Sequence, residues 1–78
     1  MRVIVEGLLT SVEVKEKDGK KSTELLLAQP GEREQVRVRV DGDLGKSFTD
    51  KMLVNHTFSG RLMTWVQRNG VGSMVMAE

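Results

Sequence analysis

The stretch that decides the fold is Val3-Ile4-Val5-Glu6-Gly7-Leu8-Leu9-Thr10-Ser11-Val12-Glu13-Val14. Its apolar side chains alternate with a period of two, which is typical of a strand with one buried face. Val3 and Val5 share one parity whereas Val12 and Val14 share the other, so the buried face changes between the two pairs. A bulge produces such a change, and we place it across residues 6–9, where Gly7 tolerates a sharp bend. We therefore predict a long, strongly bent first strand.

Turn signals separate the remaining strands. Lys17-Asp18-Gly19-Lys20 predicts a tight hairpin, because Asp-Gly readily adopts the positive φ angles that such a turn needs. Pro30-Gly31 predicts the next turn, and Arg68-Asn69-Gly70 predicts a second tight hairpin. The strands predicted between these turns are residues 23–28, 35–40, 57–67 and 71–77.

Between residues 43 and 54 the apolar period lengthens to four, with Leu44, Phe48 and Met52 on one side. This spacing is typical of a helix. Ser47 and Asp50 fit a capping box, in which the serine oxygen accepts an amide and the carboxylate reaches back. We expect a short helix of about two or three turns.

The element order β-β-β-α-β-β with a bent first strand predicts an all-β fold, a five-stranded OB-fold barrel with a short helix between strands 3 and 4. Closure of a barrel removes the exposed strand edges that a small open sheet could not hide. The alternatives are an SH3-like barrel, which normally lacks the inserted helix, and an open sheet with one helix packed on it. With 78 residues, the chain is expected to form a single domain over residues 1–78.

The composition excludes several classes of function. Because the chain has no cysteine, a disulfide scaffold, a Cys-ligated zinc module and thiol catalysis are ruled out. Twelve Lys and Arg against eleven Asp and Glu leave a net charge of +1, which argues against a polybasic binder. His56, the only histidine, stands beside Asn55 in a predicted loop without other ligands at metal-binding spacing. We expect no enzymatic activity, no cofactor and no metal site.

The first residues are not expected to form a targeting or membrane segment. Arg2 precedes only three apolar residues before Glu6, which is too few for a secretory h-region. No run approaches the ~20 apolar residues that a membrane helix requires. We expect a cytoplasmic protein with no membrane partner.

Three stretches carry a resemblance to a known family: residues 3–9, residues 18–20 leading into 24–28, and residues 58–62 with 69–78. The resemblance as a whole, with the residues between these stretches, extends over about two thirds of the chain. In them the chain resembles the single-stranded-DNA-binding protein family and its relatives, the primosomal replication protein and the small helix-destabilising proteins of filamentous phages. The resemblance implies an OB fold and sequence-independent binding of single-stranded DNA in replication, recombination or a mobile element such as a phage. The family usually has more aromatic side chains for base stacking than the two phenylalanines and one tryptophan present here.

A single-strand binding site needs a basic groove along the phosphates and aromatic faces on which bases stack. Trp65 shares parity with Arg61 and lies opposite in parity to Phe58 and Leu62, so we expect its indole outside the barrel beside an arginine. Phe48 and Phe58 are expected in the core. The predicted nucleic-acid-binding residues are Lys17, Lys20, Lys21, Arg37, Arg39, Arg61, Trp65 and Arg68.

Each of these residues also has a structural interpretation. A place in the core or in a dimer interface explains Trp65 as well as base stacking does. The arginines and lysines could simply lie on solvated strand faces. The expected partner is single-stranded DNA. RNA is an alternative, because nothing identifies a reader of the 2′-hydroxyl. We also expect a homodimer or higher homo-oligomer, because one protomer offers few contacts. The alternative function is an OB-fold module for protein-protein interaction or oligomerisation, with Leu26, Met63 and Trp65 at the interface.

Overall fold

Five strands and one short helix make up the protein, and the computed structural model describes all 78 residues. The elements are β1 (Arg2–Lys17), β2 (Lys20–Ala28), β3 (Val36–Asp41), α1 (Gly45–Thr49), β4 (Asn55–Gln67) and β5 (Gly70–Ala77). The strands close into a barrel in the order β1-β2-β3-β5-β4. Neighbouring strands are antiparallel except β3 and β5, which are parallel. The predicted five-stranded OB-fold barrel with a helix between strands 3 and 4 is confirmed.

The first strand bends because its two halves pair with different strands of the barrel. A straight strand of its length would extend about 50 Å, whereas the longest dimension of the molecule is 33 Å. Its first half pairs with β4, from Arg2 opposite Arg61 to Leu8 opposite Asn55. Its second half pairs with β2 as far as the Asp18-Gly19 turn. The predicted long, bent strand is confirmed.

The bulge of β1 lies one residue beyond the segment in which we placed it. The register with β2 shifts between Leu9 and Ser11, so Thr10 is the extra residue. Gly7 has a different role, since a Cβ there would lie 2.8 Å from the carbonyl oxygen of Ala28. That position requires glycine because β1 and β2 approach closely, whereas the change of buried face occurs at Thr10.

The core lies inside the barrel and is built from alternate residues of the strands. Its fully buried side chains are Leu9, Leu25, Leu27, Val38 and Val75. Phe48 and Phe58 are half-buried and pack against this cluster with ring centroids 5.9 Å apart, in agreement with their expected place. Because strand side chains alternate between faces, Glu24, Arg37 and Arg39 belong to the outer wall.

The start of α1 is capped differently from the prediction. Leu44 is the N-cap residue and makes no side-chain capping bond, so the Ser47–Asp50 capping box is wrong. The buried hydroxyl of Thr23 on β2 takes that role: it accepts a hydrogen bond from the Leu44 N–H at 2.9 Å and donates one to the Gly42 carbonyl oxygen at 2.8 Å.

The helix is also shorter than predicted because the chain after it pairs with β1. The N–H of Leu53 donates to the carbonyl oxygen of Leu9 at 2.8 Å, and the N–H of Leu9 donates to Val54 at 3.1 Å. As a result β4 begins at Asn55, and His56 lies within a strand, so its predicted loop position is wrong. α1 has five residues, and none of the protein's helices has the length and apolar character needed to cross a membrane.

Candidate nucleic-acid interface

The outer wall of the barrel carries three neighbouring cavities that share Met76 as a lining residue. The aromatic groove, about 400 Å³, is lined by Lys15, Glu24, Arg37, Arg39, Met63, Trp65, Met74 and Met76. The lysine groove, about 340 Å³, contains Lys17, Lys20, Lys21 and Arg39 together with Asp18 and Asp41. The terminal cavity, about 850 Å³, contains Arg61 and Asp41 beside the ion-paired Arg2 and Glu78.

Barrel closure brings these side chains together. Arg39 is opposite Glu24 in the β2–β3 ladder and beside Met76 in the β3–β5 ladder. Met63 of β4 is in turn opposite Met74 of β5. The parallel pairing of β3 with β5 therefore places the arginines of β3 near the indole of β4, although the two segments are far apart in the chain.

Trp65 lies against its cross-strand partner Gly72 on the outer wall. A Cβ at Gly72 would stand 2.5 Å from indole atoms Cε2 and Nε1. The indole N–H donates to Oε1 of Gln67 at 3.4 Å, and 38% of Trp65 remains exposed. The predicted position of Trp65 outside the core is confirmed.

Glu24 is the most buried charged residue of the aromatic groove, only 8% exposed. Three cations lie around its carboxylate: Lys15 Nζ at 2.9 Å, Arg37 Nε at 3.6 Å and Arg39 Nη2 at 3.7 Å. Burial raises the pKa of Glu24, but the hydrogen bond and charge of Lys15 and the charges of Arg39 and Arg37 outweigh it, so the pKa lies below its ordinary value of 4.5. At neutral pH the carboxylate is ionised and offsets part of the groove's positive charge.

The lysine groove is built on the first hairpin. Asp18 and Gly19 have φ angles of 54° and 78°, which confirms the predicted tight turn. Lys17 and Lys20 are opposite each other at its base, and neither pairs with a carboxylate. Lys21 Nζ lies 3.7 Å from Oδ2 of Asp43. The two unpaired ammonium groups are thus free for an anionic ligand.

The structure separates the predicted site residues into groups. Lys17, Lys20 and Lys21 line the lysine groove, Arg37, Arg39 and Trp65 line the aromatic groove, and Arg61 lines the terminal cavity. Arg68, on the turn between β4 and β5, lines none of the three.

Lys15 and Glu24 were not among the predicted residues. The sequence could have predicted that they are neighbours, because the Asp18-Gly19 turn sets Lys15 opposite Ser22. Strand alternation then puts Lys15 and Glu24 on the same outer face. What the pattern did not indicate is the burial of the carboxylate beneath three cations.

Neither a scan of protein-family models nor a search of curated proteins found a match to this chain. The chain also holds no group of three His, Cys, Asp or Glu side chains placed to bind a metal ion. A function must therefore be inferred from the grooves of the outer wall.

Proposed function

We propose that the protein binds single-stranded DNA, with little sequence preference, along the outer wall of the barrel. The observation that carries the proposal is the convergence of Trp65, Arg37 and Arg39 in one groove, which continues through Arg39 into the lysine groove. Single strands bind where bases stack on aromatic faces and phosphates follow a cationic path. The resemblance to the single-stranded-DNA-binding family supports the same function, in replication, recombination or a mobile element.

One protomer alone binds weakly in this proposal. A single stacked base contributes about 1 to 3 kcal/mol, whereas a micromolar complex requires about 8 kcal/mol. Phosphate contacts supply part of the difference, and they weaken as salt is added. Stable coverage of a strand at physiological salt therefore requires a homodimer or several protomers side by side.

The experiment is a titration of a fluorescently labelled oligo-dT, followed by anisotropy at several salt concentrations. Trp65→Ala should weaken binding by about 5-fold to 150-fold, the equivalent of one lost stack. The double variant Lys17→Ala, Lys20→Ala should lower the slope of log affinity against log salt by about 1.4, because each phosphate contact on a single strand accounts for about 0.7.

A matched control is the double variant Lys46→Ala, Lys51→Ala, which removes the same charge from exposed positions outside the three cavities. It should lower the slope much less. Absence of oligo-dT binding by the unaltered protein at low salt, or binding that does not respond to salt, would contradict the proposal.

A protein-interaction module is the second candidate, and the apolar part of the aromatic groove favours it. Met63, Trp65, Met74 and Met76 form half of its lining, and methionines adapt well to protein partners. In that case Trp65→Ala would change sedimentation behaviour, and neither form would bind the oligonucleotide. Comparison of the unaltered protein with Trp65→Ala therefore distinguishes the two candidate functions.

A further inference from the structure

The cations of the aromatic groove differ from those of the lysine groove in one respect. Lys15, Arg37 and Arg39 all lie within 4 Å of the Glu24 carboxylate. Lys17 and Lys20 have no carboxylate partner. A phosphate therefore finds two ammonium groups without an ion-pair partner in the lysine groove, which Asp18 and Asp41 also line, whereas every cation of the aromatic groove already faces Glu24.

The position of Glu24 strengthens this difference. The carboxylate is nearly buried, so water screens it less than it screens a surface charge. A phosphate in the aromatic groove would approach this like charge. A nucleobase is neutral and flat, and the groove offers it the indole of Trp65 and the side chains of three methionines.

We infer that Glu24 is a specificity-determining residue, which weakens the attraction of the aromatic groove for a phosphate and so favours a neutral base there. The strand then runs with its phosphates on Lys17 and Lys20 and with one base against Trp65. Glu24 also faces Arg37 and Arg39, whose guanidinium groups reach the phosphates that flank this base. The inference rests on the proposed function and adds the orientation of the strand to it.

The test compares two labelled strands of equal length: oligo-dT, and an abasic strand with the same phosphates and no bases. The unaltered protein should bind oligo-dT about tenfold more tightly than the abasic strand, which corresponds to the loss of one stacked base. Glu24→Gln should bind the abasic strand about fivefold more tightly than the unaltered protein does, because the repelling charge is gone. Its affinity for oligo-dT should rise less than twofold, so that the preference for bases shrinks.

Glu13→Gln is the matched control. Glu13 is opposite Glu24 in the β1–β2 ladder, is exposed and has no cation partner. This variant should keep the preference of the unaltered protein, as should Glu24→Asp, which retains the negative charge. Circular dichroism verifies folding, and Glu24→Ala removes the charge by a second route if the glutamine variant does not fold.

Failure of this inference differs from failure of the proposed function. If the unaltered protein does not bind oligo-dT at low salt, the proposed function itself fails. If it binds both strands equally, or if neutral variants at position 24 keep the full preference for bases, the role of Glu24 is overturned while single-strand binding stands.

Discussion

Trp65 on β4 and Gly72 on β5 are cross-strand neighbours, and the indole occupies the space that a side chain at position 72 would need. Gly72→Ala should therefore displace the indole from β5 toward solvent. We expect a red shift of tryptophan emission and a loss of oligo-dT affinity of about fivefold or more, since the stacking face moves. Val71→Ala, at an exposed position on the same strand, is the control. Unchanged emission in Gly72→Ala would show that the indole does not lie against this glycine.

The contact between β4 and β5 also depends on Gly60. A Cβ there would overlap the carbonyl oxygen of Met76 and lie 2.7 Å from its carbonyl carbon. Because backbone atoms cannot rotate away as a side chain can, Gly60→Ala should lower the free energy of unfolding by about 3 kcal/mol. Urea denaturation measures the effect, with the exposed neighbour Ser59→Ala as the control. A loss below about 0.5 kcal/mol would mean that the strands are not so close at this point.

The hydroxyl of Thr23 links β2 to the start of α1. Thr23→Val keeps the shape of the side chain but leaves the N–H of Leu44 and the carbonyl oxygen of Gly42 without this partner. We expect a loss of about 1 to 3 kcal/mol in the free energy of unfolding. Thr23→Ser retains the hydroxyl and should recover the hydrogen-bond part of the loss. Equal stabilities of the valine and serine variants would contradict this role.

Glu24 makes stability depend on acidity. Because its pKa is lower in the folded protein than the ordinary value of 4.5, its ionisation stabilises the fold above that value. The contribution is lost as the pH falls below 4.5 and through the folded pKa, where the unfolded chain takes up the proton first. Glu24→Gln should therefore be less stable than the unaltered protein at pH 7, by about 1 kcal/mol because the three cations are half-exposed.

Thermal melting at pH 7 and near pH 3 checks this dependence. The difference in stability between Glu24→Gln and the unaltered protein should shrink in acid, whereas Glu13→Gln should follow the unaltered protein at both values. A gap that stays constant or widens in acid would show that the charge of Glu24 does not stabilise the fold.

Local chemistry made much of the barrel predictable. Alternation in Val36-Arg37-Val38-Arg39-Val40 predicts β3 and its two faces. Asp18-Gly19 predicts the tight turn with positive φ angles between β1 and β2. The parity of Trp65 against Leu62 correctly put the indole outside. These features depend on residues within a few positions of each other, which is the range over which pattern and propensity act.

Features that depend on a distant partner were not predictable. The helix start was assigned to Ser47, whereas Thr23 supplies the hydroxyl from another strand. The bulge was placed near Gly7 because glycine tolerates bends, whereas the ladder with β2 sets it at Thr10. In both cases the local candidate was overruled by contacts with β2, which form only when the chain folds back on itself.

The sequence by itself determined which residues alternate, where the chain turns and which side chains leave the core, because side-chain direction follows from strand geometry alone. The tertiary structure alone decided that Arg39 meets Met76 across a parallel ladder and that Glu24 is buried beneath three cations. Burial and charge pairing are properties of the space between strands. For Arg39 and Met76, that space exists only after two segments 37 residues apart in the sequence have come together.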